Sequence, residues 1–456
     1  MNTPALFTET IFALASGQTP SGVAVVRISG RDARSALDLF HVKQPEPRRA
    51  QLSVLTDADG RPLDQGLVFW FPGPASFTGE DVVEFHLHGS AAVLDVVFQQ
   101  LGTLRNWRMA EAGEFTKRAF ENGRMDLTEV EGLGDLLAAQ TEAQRRQALN
   151  QYTGSLRVLY DGWRQALLSL RAAVEADFDF SDEEDVPGSV AEFVSGDALS
   201  LSRQIEAHLN DGRRGEIIRN GLRVVLVGLP NAGKSSLLNA LAQRDVAIVT
   251  DVPGTTRDVL SVSLNLNDQL INISDTAGLR DSDDVVEIEG MRRAEEAARG
   301  ADLILSLCPA DQPGFHVAFR DSDEGDFPPV LKVRTKCDLL VDSLNNGSPE
   351  GDEDIDVSVK DGSGLDNLMS ELARFGSVPI SGQSDVTTNP RITRARHRLA
   401  LESCVQSLQS AGDDQLPLEI RVEYLRTASD SLGQILGRID VEDILGHIFS
   451  EFCIGK

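Results

Sequence analysis

Basic residues are in short supply. The 456-residue chain carries 71 aspartates and glutamates against 43 lysines and arginines, a formal net charge of −28. That excludes a broad basic nucleic-acid surface on this chain alone. If RNA is a substrate, a partner or a local basic patch must hold its phosphates. Cysteine is scarce too. Cys308, Cys337, Cys404 and Cys453 are scattered, with no CxxC pair, which suits a reducing compartment without structural zinc. No apolar run approaches the roughly 20 residues of a membrane span. The opening MNTPALFTETIFALASG lacks a basic region and a long apolar core, so no export signal is read. These absences predict a soluble cytoplasmic protein with no membrane partner. Hydrophobic residues make up 41% of the chain, enough for ordinary cores, and the length predicts about three domains.

What is there is organised around residues 222–236, LRVVLVGLPNAGKSS. An apolar strand-like run ends in a loop from Gly228 to Ser235 that fits G-x-x-x-x-G-K-[ST], the phosphate-binding loop. Its backbone N–H groups face a polyphosphate, and the following helix N-terminus adds partial positive charge. Asn231, Ala232, Gly233, Lys234, Ser235 and Ser236 are the expected contacts. Lys234 reaches the β- and γ-phosphates, and Ser235 ligates Mg²⁺.

Around this loop the pattern changes along the chain. Residues 1–122 read as a small α/β domain, with strands over 23–28, 66–71 and 81–87 and a helix over 91–104. Residues 71–81 (FPGPASFTGED) read as a surface loop. Helical periodicity takes over for 123–220, with helices over 127–149 and 156–174, then an acidic break at 179–184. Residues 221–380 alternate strands and helices. A hairpin turns at Asn267-Asp268, strands cover 302–308, 330–335 and 355–359, and helices lie near 291–299 and 365–375. Two acidic loops, 311–329 and 342–354, interrupt this domain, and a linker covers 377–390. Residues 381–456 are helical again. The economical architecture is multidomain α/β plus all-α: a helical domain formed from two segments, with a Ras-like P-loop domain inserted between them.

Three further stretches make the loop part of a guanine-nucleotide site. Asp275-Thr276-Ala277-Gly278 fits D-x-x-G, with Asp275 near Mg²⁺ and the Gly278 N–H near the γ-phosphate. Thr335-Lys336-Cys337-Asp338 follows another strand. Asp338 accepts from the guanine N1–H and 2-amino group, a pattern adenine cannot donate, and Lys336 packs over the base. Asn is usual where Thr335 stands, and loss of its amide is expected to weaken the bracing of the loop. Ser358, Val359 and Lys360 close over the base. Between loop and hairpin lies a switch-like segment, Thr250, Asp251, Val252, Pro253, Gly254, Thr255, Thr256 and Arg257, where a threonine can ligate Mg²⁺ only with the γ-phosphate present. Ras-like proteins carry Gln directly after D-x-x-G to orient the attacking water; here the position is Leu279. Asp281, Asp283, Asp284, Glu287 and Glu289 lie just beyond, and spacing does not choose among them.

RISG (27–30), PGPASFTGEDVVE (72–84), GEFTKRAF (113–120), GLPNAGKSSLLNAL, TDVPGTTRD, DTAGLR and terminal FCIGK together resemble the MnmE (TrmE) family of tRNA modification GTPases over essentially the whole chain. The resemblance implies an N-terminal domain that dimerises and binds folate. It implies a flavoprotein partner, MnmG (GidA), forming a heterotetramer or larger complex with the homodimer and supplying FAD and NADH chemistry. The substrate implied is tRNA, modified at C5 of the wobble uridine. An aminomethyl or carboxymethylaminomethyl group is added, with methylene-tetrahydrofolate as one-carbon donor in a site that takes 5-formyl-tetrahydrofolate-like ligands. Hydrolysis is implied to be K⁺-stimulated. Asn231, Thr250, Val252 (by carbonyl) and Thr255 match the K⁺ ligands, and Ser235 and Thr256 match the Mg²⁺ ligands. Glu287 matches the water-orienting glutamate, and Arg257 is expected to help position the switch. Arg27, Glu84, Arg124 and Lys456 match folate-site positions, Arg124 where some members have lysine. The turn in TPSGVAVVRISG is shorter than is usual, which alters the expected pocket.

A lone cysteine ordinarily reads as buried filler; the resemblance instead puts Cys453 near the modification site. His86 and His88 have no metal-type partners in the sequence and read as structural or pocket-lining. Two other readings compete: a ribosome-assembly GTPase binding rRNA, which usually appends a basic module, and a scaffold that binds GTP without turnover.

Overall fold

A computed structural model describes residues 7–179, 190–248, 261–275, 295–311, 327–340, 354–376, 390–439, 442–450 and 452–456. It divides into two compact units. One is Met1–Gly134, Gln151–Ser202 and Ala400–Lys456; the other is Asp135–Asn150 and Arg203–Leu399.

The first unit opens with a six-stranded sheet: β1 (Thr10–Leu14), β2 (Ser21–Ser29), β3 (Gln51–Thr56), β4 (Pro62–Phe71), β5 (Val82–Gly89) and β6 (Trp107–Met109). The order is β3-β4-β5-β2-β1-β6. All pairs are antiparallel except β1 with β6. Alternation sorts β2: Ala24, Val26 and Ile28 are buried on one face. Against that face lie α1 (Ser35–Leu39) and α2 (Ala91–Leu101), whose Leu94, Val97 and Leu101 recur at helical spacing. β2, β4, β5 and α2 are where alternation predicts them. β1 is not, because both its faces are covered. Phe12 enters the main core, Ile11 and Ala13 a second cluster with Phe115, and no alternation remains to read.

Helices complete this unit. In α6 (Ser155–Asp179) Tyr160, Trp163, Leu167, Leu170 and Val174 are buried. They recur at helical spacing, and α6 packs against α12 (Leu418–Leu436), where Leu425, Ala428, Leu432 and Ile435 are buried. Before α12 runs α11 (Ala395–Ala411), whose Cys404 thiol is pushed up to about 12 by burial and is inert. After α12 comes α13 (Glu442–Ser450). Its Phe449, with Phe452, packs on Val130 of α4 (Leu127–Ala138). The single helix expected over 127–149 is two. It breaks before α5 (Glu142–Tyr152), most of which belongs to the second unit. There Gln144 Oε1 accepts from the N–H groups of Gln140 (2.9 Å) and Thr141 (3.1 Å), and Thr141 Oγ1 accepts from Gln144 N–H (3.3 Å). This reciprocal cap starts a new helix.

The second unit holds α8 (Arg214–Asn220), the end of α7 (Val190–Leu209) and a seven-stranded sheet. Its strands are β7 (Leu222–Val227), β8 (Ala247–Ile248), β9 (Ser261–Leu266), β10 (Gln269–Asp275), β11 (Leu303–Pro309), β12 (Val330–Thr335) and β13 (Ile355–Asp356). The order is β13-β12-β11-β7-β10-β9-β8. It is parallel from β13 to β10 and antiparallel beyond. In β7, Val224 and Leu226 enter one core while Val225 and Val227 enter the other, as a strand covered on both faces requires. The hairpin at Asn267-Asp268 is present; φ is +52° and +65°, the two positive values of a type I′ turn. The strand expected over 355–359 stops at Asp356, because the backbone then turns to serve the nucleotide loop described below. The helix expected over 365–375 is α10 (Leu365–Gly376). Of 291–299, the described residues 295–299 are helical. The acidic break, most of both acidic loops and nearly all of the linker lie outside the described residues. Among the described residues no helix is long and apolar enough to cross a membrane.

The first unit also buries charge. Arg118 of α3 (Glu114–Glu121) is fully buried. Its guanidinium donates to Glu80 (3.1 Å), to Glu114 (3.0 Å) and to the Glu9 carbonyl (2.9 Å), and lies over the Phe7 ring. Glu114 also takes a two-pronged contact from Arg108 (2.7 Å each). Glu80 accepts from Ser29 (2.8 Å), which shares a hydrogen bond with Thr78. This ties α3 to the 71–81 loop and to β2. Burial alone would raise the Glu114 carboxyl, but the Arg108 fork, the Glu111 N–H and Arg118 hold it below its ordinary 4.5. A depressed carboxyl contributes stability that is fully present above the unfolded value and lost as pH falls through the folded one. Glu114→Gln should therefore lose about 3–5 kcal/mol near neutrality, the cost of breaking a buried pair. It should also flatten the acid limb of urea-midpoint-against-pH curves; an unchanged acid limb would refute the network's role.

Candidate nucleotide-binding site

The loop after β7 sits where parallel strands on either side of β7 part, at their carboxyl ends. Asn231 (φ +66°) and Gly233 (φ +91°) are left-handed, the first tolerable for Asn and the second natural only for glycine. α9 (Lys234–Ala242) starts at once. The Lys234 ammonium donates across the loop to the Gly228 (2.8 Å) and Leu229 (3.1 Å) carbonyls, and its side chain is buried. Ser235 Oγ donates to Asp275 Oδ2 at 3.1 Å. Asp275, buried at the end of β10, is carried there by the parallel pairing of β10 with β7. A hydroxyl and a carboxylate converging beside the loop are hard oxygen donors of the kind Mg²⁺ takes.

The base-reading side is built from the next two strand ends. Thr335 closes β12, Lys336 is left-handed (φ +58°) and Asp338 follows in a 3-10 turn. Asp338 Oδ1 accepts from Ser358 Oγ (3.1 Å), and Oδ2 lies 3.6 Å from Lys360 Nζ. The two loops are stitched by backbone: Cys337 N–H to the Val357 carbonyl (3.3 Å) and Val357 N–H to the Arg334 carbonyl (2.8 Å). Arg334 pairs with Asp356 (2.6 Å). Ser358 is wholly buried while Val359 and Lys360 are exposed beside it. Sequence reasoning gives Ser358 to the base; its hydroxyl donates to the carboxylate of Asp338.

One expectation is corrected. Thr335 does not leave the loop unbraced. Its buried hydroxyl donates to the Ala232 carbonyl at 2.7 Å, and Gly233 lies beside it. A hydroxyl reaches the phosphate loop where an amide was expected to be needed.

Asn231 and Ser236 are exposed at the loop and Ala232 is buried. Residues 250–257, Thr276, Ala277, Gly278, Leu279 and the acidic stretch with Glu287 lie outside the described residues.

A second group gathers in the first unit. Arg27 and Glu84 face each other across β2 and β5 and pair at 2.8 Å. The Arg27 guanidinium lies over Phe77 and Phe115. Glu84 also meets His86 (3.2 Å), whose ring packs on Phe69 at 4.7 Å. His88 bonds Asp64. Among the described residues no cluster of His, Cys, Asp and Glu could hold a metal ion. The chain end docks on the same unit. Ile454 bridges Ala112, and Lys456 N–H donates to the Cys453 carbonyl. Arg124 stands beside Gly79. The structure thus pairs Arg27 with Glu84; Arg124 and Lys456 make no hydrogen bond or ion pair with either. Cys453 is exposed and free, so the buried-filler reading is overturned.

Residues 127–453 match the family model described as the MnmE helical domain, and residues 10–124 match that described as the GTP-binding protein TrmE N-terminus. The chain is 51% identical over 452 residues to the tRNA modification GTPase MnmE of Agrobacterium fabrum, covering 98% of this chain and 99% of that one. It is 49% identical over 450 residues to that of Brucella anthropi (98% of each) and 46% over 453 residues to that of Rhizobium etli (99% and 100%). With a phosphate loop, a Ser–Asp pair and a guanine-type carboxylate assembled on one sheet, the chain belongs to the MnmE family of tRNA modification GTPases.

Proposed function

We propose that this chain is a K⁺-stimulated GTPase that acts with the flavoprotein MnmG (GidA) to modify C5 of the wobble uridine in certain tRNAs, in the cytoplasm. One observation carries the nucleotide half: Ser235 with Asp275, and Asp338 with Ser358, stand at the ends of one parallel sheet, with the phosphate loop between them. Matches along nearly the whole chain favour this reading over a ribosome-assembly GTPase.

In this reading Asp338 selects guanine and the Lys234 ammonium moves from the loop carbonyls to the β- and γ-phosphates. Ser235 and Thr256 hold Mg²⁺. Asn231, Thr250, Val252 and Thr255 hold K⁺ beside the phosphates. The cations offset charge that develops in phosphoryl transfer. Glu287 orients the attacking water in place of a Gln. Thr276, Ala277 and Gly278 follow the γ-phosphate, and the 250–257 segment closes on it. Domains of 1–122, 123–220 with 381–456, and 221–380 divide the work. The first dimerises and binds a methylene-tetrahydrofolate donor. There the Arg27–Glu84 pair offers one donor and one acceptor edge to a pterin-like ring, with Arg124 and Lys456 available to acidic groups. Cys453 is exposed near that end of the chain.

In a strain lacking the gene, wobble uridine should stay unmodified at C5. The wild-type gene should restore it and Asp338→Asn should not. The amide sets a donor against guanine donors and removes two charge-assisted hydrogen bonds, weakening GTP by at least about 100-fold. Normal modification in the deletion strain would contradict the function. Steady-state hydrolysis by the purified protein should be strongly faster in KCl than in NaCl at equal ionic strength. Glu287→Ala should keep GTP binding and slow turnover by about 10²–10⁴; equal rates in both salts, or unchanged turnover, would refute those assignments.

A further inference from the structure

Two segments of the second unit run against the chain's net charge of −28. Residues 203–220 and 390–399 carry eight arginines and three carboxylates. The second unit folds these segments together. Gly215, in the first turn of α8, lies so close to the 391–392 backbone that a Cβ would come within 2.2 Å of the Ile392 carbonyl oxygen and 3.0 Å of Arg391 Cβ. Only glycine permits this approach, and it sets Arg214 next to Arg391.

Most of the surrounding arginines are matched to acids. Arg398 bonds Asp211 (2.9 Å) and Glu216 (3.0 Å), and Arg213 bonds Glu216 (2.8 Å). Arg219 (2.9 Å) and Arg394 (3.0 Å) share Asp135. Asp211, Glu216 and Asp135 are therefore engaged. Arg391 is different. It is partly buried, and its guanidinium has no hydrogen bond or ion pair among the described residues. Burial lowers its pKa and the adjacent Arg214 lowers it further, with Asp211 only a partial offset. A guanidinium kept partly out of water, beside a like charge and without an acceptor, is unfavourable. An oxyanion with two or more acceptor oxygens would remove that cost, and guanidinium geometry suits phosphate.

We propose that Arg214 and Arg391 form a phosphate-binding site and that its occupant is the backbone of an RNA substrate. The inference rests on the tRNA-directed reading above and adds where this acidic chain touches RNA. The site reads no bases, so it positions the RNA without selecting its sequence.

The test is tRNA binding by the full-length protein across a salt series, for wild type, Arg391→Gln, Arg391→Lys and the Arg214→Gln/Arg391→Gln double variant. Arg49→Gln, at an exposed residue of the first unit, is the control. Each lost phosphate contact should lower the slope of log affinity against log salt by about one. The double variant should lose about two units of slope and at least about tenfold in affinity at low salt. Arg391→Lys should keep the slope and lose part of the affinity. Thermal stability separates this role from a structural one. Removing the Arg391 guanidinium alone, as in Arg391→Gln, should leave the melting temperature unchanged or raised, whereas removing a structural arginine lowers it. Basal GTP hydrolysis should stay at the wild-type level. If wild type binds tRNA and the double variant binds with equal affinity and slope, the site is refuted while the tRNA-directed function stands. If wild type binds no tRNA, both fall. If inorganic phosphate binds wild type and not the variants, yet tRNA binding is the same in all, the pair holds a free phosphate and the RNA assignment is overturned.

Discussion

The hydroxyl of Thr335 donates to the carbonyl of Ala232 across 103 residues of chain, and the nucleotide site depends on that one hydrogen bond. One side of it holds phosphate and the other reads a base. Both loops leave the sheet at strand ends; the guanine loop is stitched by backbone to the 357 segment, and the Thr335 hydroxyl ties it to the phosphate loop. Because bond and partners are buried, water does not compete, and a missing donor would leave a buried carbonyl unsatisfied. Ser358 does the same for Asp338, fixing the carboxylate edge that guanine must meet. The site is thus a set of charged groups, each aimed by a neutral hydroxyl or carbonyl.

The sheet makes this possible. β7 is apolar on both faces because helices and loops cover both. Functional polarity is therefore confined to its end. The first unit solves the reverse problem. It keeps two glutamates and two arginines at or near its interior, and pairs them with one another and with Ser29 and the Glu9 carbonyl. Paired so, the charges link α3 to the loop that carries Phe77 over Arg27. Stability of the buried network and placement of the Arg27–Glu84 pair are joined.

Much of this was legible in the residues. A phosphate loop needs glycines, a lysine and a hydroxyl in fixed order after an apolar strand, so 222–236 announces itself. Asn267-Asp268 announces its turn because few residues accept two positive φ values. The unread parts have physical causes. β1 is covered on both faces and shows no alternation. The break at 139–141 comes with three capping hydrogen bonds, which periodicity does not show. GEFTKRAF marks a family in the sequence, but that Glu114 and Arg118 are interior ion partners is a fact of tertiary contact. Thr335 looked like a loss because sequence compares side-chain types, whereas the structure compares where a donor ends. Arg391 is one arginine among many until its neighbours have been paired off.

The most direct test of the central tie is the rate at which bound GTP leaves Thr335→Val and Thr335→Ser proteins, measured by displacement of a fluorescent guanine nucleotide. Valine keeps the shape and removes the donor, so release should quicken about tenfold or more; serine keeps the hydroxyl and should stay near wild type. Equal release from wild type and Thr335→Val would contradict the claim that this hydroxyl holds the phosphate and guanine loops as one site.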